Sequence, residues 1–259
     1  MCGIAGIWFR SGRPVAPAML RRMTALLIHR GPDGEGLRVF HDGPGLAHRR
    51  LKIVDLSERA AQPMGTADGR YWMVYNGEVH NYLELRRELE DGGAAFTTES
   101  DTEVVLQAFA RWNLDCFERF NGMWALAIWD AVDRRLILSR DRLGIKPLYV
   151  STRSDRLAFA SEPKAILAAF PEERAANEPE LLVYLAGAPP DATEATCFRN
   201  IRVFPPATTS VYTAGREHRQ RYWRFQPGPE HAAHADLEER FLGLLADAVR
   251  IRLRSDAPL

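Results

Sequence analysis

The sequence is poor in cysteine, carries no net charge and contains no long apolar run. Its three cysteines, Cys2, Cys116 and Cys197, are too few and odd in number for a disulfide scaffold, which favours a reducing, cytoplasmic compartment. The 34 basic and 34 acidic residues cancel, so a nucleic-acid-binding surface is not expected. No stretch approaches the ~18 consecutive apolar residues of a membrane-spanning helix, and no secretory signal pattern opens the chain. Composition therefore predicts a cytoplasmic protein that binds neither nucleic acid nor membrane.

Several motifs of known chemistry are also missing. The sequence has no Gly-x-Ser-x-Gly elbow, no glycine-rich phosphate loop and no cysteine–histidine cluster with metal-ligand spacing. The histidines, among them His41, His48 and His80, are scattered along the chain. A metal site is therefore not expected.

The composition is that of a globular protein, and the sequence contains many short apolar segments typical of strands. With 259 residues, 46% of them hydrophobic, the chain can form one large domain, or one domain and a fragment of a second. Short turns join most strands, which favours antiparallel sheets with helices packed outside, an α+β architecture. Strands are predicted over residues 4–9, 51–54, 71–75, 123–129, 136–139, 149–150, 157–160, 201–204 and 211–212. Helices are predicted over 17–28, 82–89, 101–112, 163–168 and 179–186.

The end of the chain has a different character. A stretch containing proline and glycine over 226–235 is typical of a linker. Asp236 then caps a predicted amphipathic helix. The apolar face of this helix is formed by Leu237, Phe241, Leu244, Leu245 and Ala248. Such a helix either begins a further domain or packs back onto the main body, and its periodicity favours neither alternative.

Cys2 is the strongest candidate for a catalytic residue. Initiator methionine is normally removed before a small residue, so the mature chain would begin with Cys2 and carry a thiol and a free α-amine on one carbon. A terminal amine has a pKa of ~7.7–8.0 and can act as a base near neutral pH. A terminal nucleophile with its own amine as base is a known catalytic arrangement. The structural alternative is a small apolar residue that starts a strand.

Three other positions could bind a substrate, and each has a structural alternative. Arg50 could hold a carboxylate through two parallel hydrogen bonds, or belong to a solvated basic cluster with Arg49. Asn76 and Gly77 could form an oxyanion hole, or a turn. Asp101, after the candidate N-cap Ser100, could accept from an ammonium group or be an ordinary first-turn residue. The charged segments 29–33 and 140–147 could line a site or brace loops, and for 140–147 bracing is favoured.

Taken together, these segments resemble the class II glutamine amidotransferases, which are N-terminal-nucleophile (Ntn) glutaminases. The resemblance is closest to the N-terminal half of the glutamine-hydrolysing asparagine synthetases and covers residues 1 to about 225 in order. The segments that carry it are MCGIAG (1–6), HRGPD (29–33), AHRRLKIVD (47–55), NGEVHNY (76–82), SDTE (100–103), GMWA (122–125), RDRLGIKPLY (140–149) and ASEPKA (160–165).

The resemblance implies a four-layer αββα sandwich and a catalytic role for three residues. Cys2 would attack the side-chain amide of glutamine, with its α-amine as base. Asn76 and the Gly77 N–H would hold the oxyanion, and a γ-glutamyl thioester would form before water releases glutamate.

The resemblance also implies how L-glutamine would be bound. Arg50 would hold the α-carboxylate of glutamine, and Asp101, with Glu78 nearby, would accept from the α-ammonium group. The backbone of the following segment would line the pocket, through Leu51, Lys52, Ile53 and Val54.

The same resemblance implies a division of the chain into three parts. These are a glutaminase domain over 1–225, a linker over 226–235, and the first helix of a truncated synthetase domain over 236–259. The phosphate-binding loop of the synthetase half is not in this sequence, since the only glycine after Asp236 is Gly243, inside a predicted helix. The glutaminase step is expected to need no cofactor. ATP and Mg²⁺ are expected only with the missing synthetase half, which is the expected ammonia acceptor. A homodimer, a different acceptor and an inactive fragment stay open as alternatives.

Overall fold

The computed structural model describes residues 1–187, 193–227 and 237–257, and these contain twelve strands, seven α-helices and three short 3-10 helices. The strands are β1 (Gly3–Phe9), β2 (Gly34–Val39), β3 (Gly45–Arg50), β4 (Met64–Gly65), β5 (Tyr71–Val79), β6 (Gly122–Asp130), β7 (Arg135–Arg140), β8 (Tyr149–Thr152), β9 (Arg156–Ala160), β10 (Arg202–Val203), β11 (Thr208–Tyr212) and β12 (Glu217–Arg221). The helices are α1 (Pro17–Ala25), α2 (Tyr82–Asp91), α3 (Asp101–Trp112), α4 (Cys116–Arg119), α5 (Pro163–Ala169), α6 (Glu178–Leu185) and α7 (Leu237–Arg252). No described helix has the length and apolar character needed to cross a membrane.

The strands form two six-stranded sheets in which every pairing is antiparallel. The first sheet has the order β10-β8-β9-β1-β3-β2, and the second has the order β12-β11-β7-β6-β5-β4. Helices α1 and α5 contact the first sheet, and α3, with α2 against it, contacts the second. The result confirms the α+β architecture predicted from the strand pattern and the four-layer αββα sandwich that the family resemblance implies.

Strand β1 shows why the layers form. Its side chains alternate between two apolar clusters: Ile4 and Trp8 face the second sheet, whereas Ile7 and Phe9 face α1 and α5. A strand buried on both faces has no polar side, which explains the unbroken apolar run. Each buried isoleucine or phenylalanine contributes about 1.5–3 kcal/mol through burial.

Helix α3 begins where the sequence predicts. The Ser100 hydroxyl accepts a hydrogen bond from the Glu103 N–H at 3.3 Å, which confirms it as the N-cap. The Glu103 carboxylate does not complete a reciprocal capping box, because it accepts from the N–H groups of Thr97 and Thr98. This cap fixes Asp101 in the first turn, beside the end of β5.

The predicted strand over 51–54 is wrong. Strand β3 ends at Arg50, where its pairing with β2 also ends, and the segment that follows is a loop. Asp55 in this loop has a φ of 52°, a left-handed conformation that an extended strand does not allow. The sequence analysis also missed β2 and β12, which contain glycine or charged residues in place of an apolar pattern.

Helix α7 confirms the predicted C-terminal helix, while Asp236 and most of the predicted linker lie outside the described residues. The alternative that this helix packs onto the main body is confirmed for one part of it. Its last turn docks on the main body, where Ile251 is buried. The apolar side chains nearer its start are exposed, and these are Leu237, Phe241, Leu244 and Leu245.

Candidate active site

A pocket lies where the first residues of the chain, the loop after β3, the middle of β5 and the start of α3 converge. It contains about 510 Å³ of empty space, including the part open to solvent. Its wall is formed by Met1, Cys2, Arg50, Leu51, Ile53, Val54, Gln62, Tyr75, Asn76, Gly77, Glu78, Asp101, Thr102 and Lys146. All the predicted site residues except Lys52 therefore meet at one place.

The pairing of β1 with β3 carries Cys2 to this pocket. Gly3 lies opposite Arg49, so the preceding residue reaches the loop after β3. There the Leu51 N–H donates to the Cys2 sulfur at 3.4 Å, and the thiol donates to the Leu51 carbonyl at 3.6 Å. The Arg30 side chain holds the Cys2 carbonyl at 3.0 Å. The chain end is thus held on both sides.

Burial sets the protonation of the groups at the chain end. It raises the pKa of the Cys2 thiol, so the thiol is neutral near pH 7 and needs a base to become a nucleophile. Burial also lowers the pKa of the neighbouring terminal amine, carried here by Met1. A terminal amine at this place is therefore available in its basic form near neutral pH.

Asn76 presents a hydrogen-bond donor to the pocket. It is 1% exposed, and its Nδ2 has no hydrogen-bond partner within the described residues. A buried amide N–H without a partner is costly, typically by about 1–3 kcal/mol, so the site favours a ligand with an acceptor there. Gly77 follows in the same strand, where a Cβ would lie 2.5 Å from the Met123 carbonyl oxygen. The turn alternative for these two residues is wrong, because β5 continues through both of them, opposite Ala125 and Trp124.

Arg50 is buried in the pocket wall, in contrast to a solvated basic residue. It is 7% exposed, and its guanidinium donates to the Ser57 carbonyl at 2.6 Å and to the Asp55 carbonyl. Its neighbour Arg49 points to the other face of the strand and pairs with Glu35 at 3.5 Å. The remaining N–H groups of Arg50 suit a carboxylate.

Asp101 is a buried carboxylate in the wall of the same pocket. Its Oδ2 accepts from the Tyr75 hydroxyl at 2.8 Å and from the Val79 N–H at 3.1 Å. Burial raises its pKa to about 6, so at neutral pH it is ionised. Glu78 lines the same pocket. The wall thus has a guanidinium and carboxylates, which match the two charged groups of an α-amino acid.

Lys52 lies outside the pocket wall, although the sequence analysis placed it in the lining. Its ammonium group pairs with Glu58 at 2.5 Å, and its N–H donates to Asp33 at 2.9 Å. The Lys52 side chain is therefore directed to Glu58 and not into the pocket.

The predicted bracing role of 140–147 is confirmed. The Arg140 guanidinium donates to the carbonyls of Gly144, Lys146 and Phe204 at 2.6–2.8 Å. The Asp141 carboxylate accepts from the N–H groups of Leu143, Ile145, Lys146 and Trp124. This bracing also places Lys146 in the pocket, where burial lowers the pKa of its ammonium group.

Four pocket residues were missed by the sequence analysis: Gln62, Tyr75, Thr102 and Lys146. Gln62 accepts from the Tyr75 N–H at 2.6 Å and donates to Thr102 at 3.3 Å. Thr102 and Lys146 lie in segments that carry the family resemblance, but the resemblance assigns neither of them a role, and no motif includes Gln62 or Tyr75. Their positions depend on sheet pairings and loop contacts between distant segments.

An αββα sandwich whose first strand carries the thiol of the second residue to a polar pocket has the architecture of the Ntn hydrolases. Within that class, this chain belongs to the family of the glutamine amidotransferase domain, whose sequence profile matches residues 1–223.

Relatives and solved structures agree with this assignment. The chain is 33% identical to asparagine synthetase [glutamine-hydrolyzing] 1 of Bacillus subtilis over its full length and spans 41% of that protein. It is 34% identical to a putative asparagine synthetase [glutamine-hydrolyzing] 2 of Methanocaldococcus jannaschii, again over its full length, and spans 53% of it. The glutamine phosphoribosylpyrophosphate amidotransferase of B. subtilis shares the fold, with a TM-score of 0.62 and 20% identity over 86% of this chain and 49% of that one.

Proposed function

We propose that this chain hydrolyses L-glutamine to glutamate and ammonia, with Cys2 as the nucleophile. The observation that carries the proposal is the pocket itself. It brings together the Cys2 thiol, the Asn76 amide, the Arg50 guanidinium and the Asp101 carboxylate, and Asn76 Nδ2 has no partner in the part of the chain that the structure describes. These groups match, in turn, the carboxamide carbon, the oxyanion, the α-carboxylate and the α-ammonium of glutamine.

The proposed reaction begins with Met1 removed, so that Cys2 carries the free amine. This amine takes the thiol proton as the sulfur attacks the carboxamide carbon. The oxyanion accepts hydrogen bonds from Asn76 Nδ2 and the Gly77 N–H. The amine then returns the proton to the leaving nitrogen, the C–N bond of the tetrahedral intermediate breaks, and ammonia departs as the carbonyl re-forms in a γ-glutamyl thioester. Water, activated by the same amine, cleaves the thioester to glutamate and restores the thiol. No cofactor takes part in these steps.

We further propose that the ammonia serves ATP-dependent amidation of aspartate to asparagine in a synthetase half of the kind the longer relatives contain. Support comes from the names of the relatives, which this chain matches along its whole length while spanning about half of theirs. The exposed apolar side chains of α7 fit this proposal, since a contiguous apolar face on a surface helix marks an interaction site. ATP and Mg²⁺ belong to that synthetase half.

A direct assay tests the proposed function. The purified chain should release glutamate and ammonia from glutamine in a 1:1 ratio without ATP, and ATP with aspartate should yield no asparagine. A chain freed of Met1 that releases no glutamate would contradict the glutaminase proposal. Asparagine formation by these 259 residues alone would contradict the separate synthetase half.

Asn76→Ala and Arg50→Ala should affect different kinetic constants. Asn76 Nδ2 contacts an oxyanion that exists only in the transition state, so its loss should lower kcat by about 10²–10³-fold with little change in KM. Arg50 holds the α-carboxylate in substrate and transition state alike, so Arg50→Ala should act mainly on KM. Steady-state kinetics of the two variants measure this. The reverse pattern would mean that the two roles are exchanged or wrong.

Glutamine affinity should depend on the protonation of Asp101. Its pKa of about 6 means that the carboxylate loses its charge below that pH, and with it the attraction for the α-ammonium group. Binding should therefore be constant above pH 6 and weaken about tenfold per pH unit below it. Calorimetry with the Cys2→Ala variant isolates binding from catalysis. Asp101→Asn should bind weakly at every pH, and unchanged wild-type binding at pH 5 would contradict the assignment.

A further inference from the structure

The segment that follows α7 lies against the pocket loop. We call residues 254–257 the C-terminal strap. Its Asp256 N–H donates to the Ile53 carbonyl at 2.9 Å, and the Asp256 carboxylate accepts from the Asp55 N–H at 2.7 Å. The Ala257 N–H also reaches the Ile53 carbonyl, at 3.3 Å. These contacts join residues about two hundred positions apart in the sequence.

The other end of the strap is anchored on α2 and the end of β5. The Arg254 guanidinium forms two hydrogen bonds with the Glu84 carboxylate, at 2.6 and 2.7 Å, and a third with the His80 carbonyl. Arg254 lowers the pKa of Glu84 to about 2, so the pair is charged throughout the neutral range. Ile251, at the end of α7, is buried beside Val54. The strap therefore has a fixed position.

The loop that the strap holds is the one that shapes the glutamine pocket. Ile53 and Val54 line the pocket, and the Asp55 carbonyl accepts a hydrogen bond from Arg50. Asp55 has a positive φ, which costs free energy for a non-glycine residue and needs surrounding contacts to persist. Asp256 satisfies the N–H of this same residue. Asp55 thus contacts both Asp256 in the strap and the Arg50 guanidinium, which is proposed to bind the substrate carboxylate.

We propose that Asp256 is a positioning residue for glutamine binding, acting through Ile53 and Asp55 on Arg50. The proposal rests on the function proposed above. Because Asp256 touches the loop and not the thiol or the oxyanion donors, its loss should weaken binding and leave the chemical step in place. The same contacts make the pocket sensitive to the position of α7.

Asp256→Ala tests this in the full chain. We expect KM for glutamine to rise about fivefold, the size of effect of one hydrogen bond lost between the strap and the loop, with kcat changed less than about twofold. Asp256→Asn keeps an acceptor oxygen and should restore most of the affinity. Arg254→Ala, which releases the strap from its other end, should also raise KM.

Asp247→Ala is the matched control. Asp247 is an exposed carboxylate on α7 that pairs with Arg250 at 2.5 Å and lies away from the pocket wall, so its loss should leave KM unchanged. Calorimetry with glutamine in the Cys2→Ala background should show the same fivefold loss of affinity for Asp256→Ala.

The proposal is overturned if Asp256→Ala and Arg254→Ala both leave KM and affinity unchanged, if Asp247→Ala raises KM equally, or if kcat alone falls. If Asp256→Ala does not fold, the KM of Arg254→Ala for glutamine decides the test. Failure of the glutaminase function itself would be visible separately, as an unsubstituted chain that releases no glutamate.

Discussion

Replacing Cys2 by alanine should lower glutamine hydrolysis by at least about 10⁴-fold, because it removes the nucleophile and no other thiol lines the pocket. The fold should be retained, since the change removes one sulfur atom at the end of the chain and the packing of β1 begins at Gly3. Glutamate release, measured beside thermal unfolding of both proteins, tests the expectation.

The matched control for this variant is Cys197→Ala. Cys197 is also a partly exposed free thiol, but it lies away from the pocket wall. Its replacement should leave activity unchanged. Glutamate release by Cys2→Ala near the parent rate, or an equal loss in Cys197→Ala, would contradict the assignment of Cys2 as the nucleophile.

An N-terminal extension should inactivate the enzyme although the thiol is still present. An extension, or a retained Met1, converts the Cys2 amine into a peptide N–H without a basic lone pair, and so removes the general base. A residue ahead of Cys2 also occupies part of the pocket, because Met1 itself lies in the pocket wall. The loss of glutamine hydrolysis should approach that of the Cys2→Ala variant.

Cleavage of the extension supplies the control. The same protein, treated with a protease that exposes Cys2, should recover full activity, and mass spectrometry should show the new terminus. The rate of the cleaved form should rise with pH and level off near neutrality, because the amine must be unprotonated to act. Full activity before cleavage would exclude an N-terminal nucleophile.

Much of the fold could be predicted where local pattern and tertiary environment agree. The apolar run of β1 reflects burial on both faces, and the Ser100 cap of α3 is a local hydrogen bond. The loop after β3 shows the limit. Its apolar residues resemble a strand, yet they turn into the pocket because Asp55 adopts a positive φ held by distant groups, Asp256 among them.

The candidate site likewise contains residues that the sequence predicts and residues that it does not. Cys2 and Asn76 stand in segments whose chemistry can be recognised along the sequence, and the family resemblance supplies their roles. No motif includes Gln62, which its hydrogen bonds with Tyr75 and Thr102 hold at the pocket. Lys146 is placed there by the bracing of residues 140–147 through Asp141. Lys52 stands among pocket residues in the sequence, but its side chain turns to Glu58 at the surface.

The central claim is that the sulfur of an N-terminal Cys2 attacks the carboxamide carbon of glutamine. The most direct test is to incubate the active protein with a diazoketone analogue of glutamine and to map the adduct by peptide mass spectrometry. We predict one adduct, on the sulfur of Cys2, in a peptide that begins with Cys2 and lacks Met1. An adduct on Cys116 or Cys197 would contradict the claim, and so would an adduct on a chain that retains Met1. Complete inactivation without an adduct on any cysteine would contradict it as well.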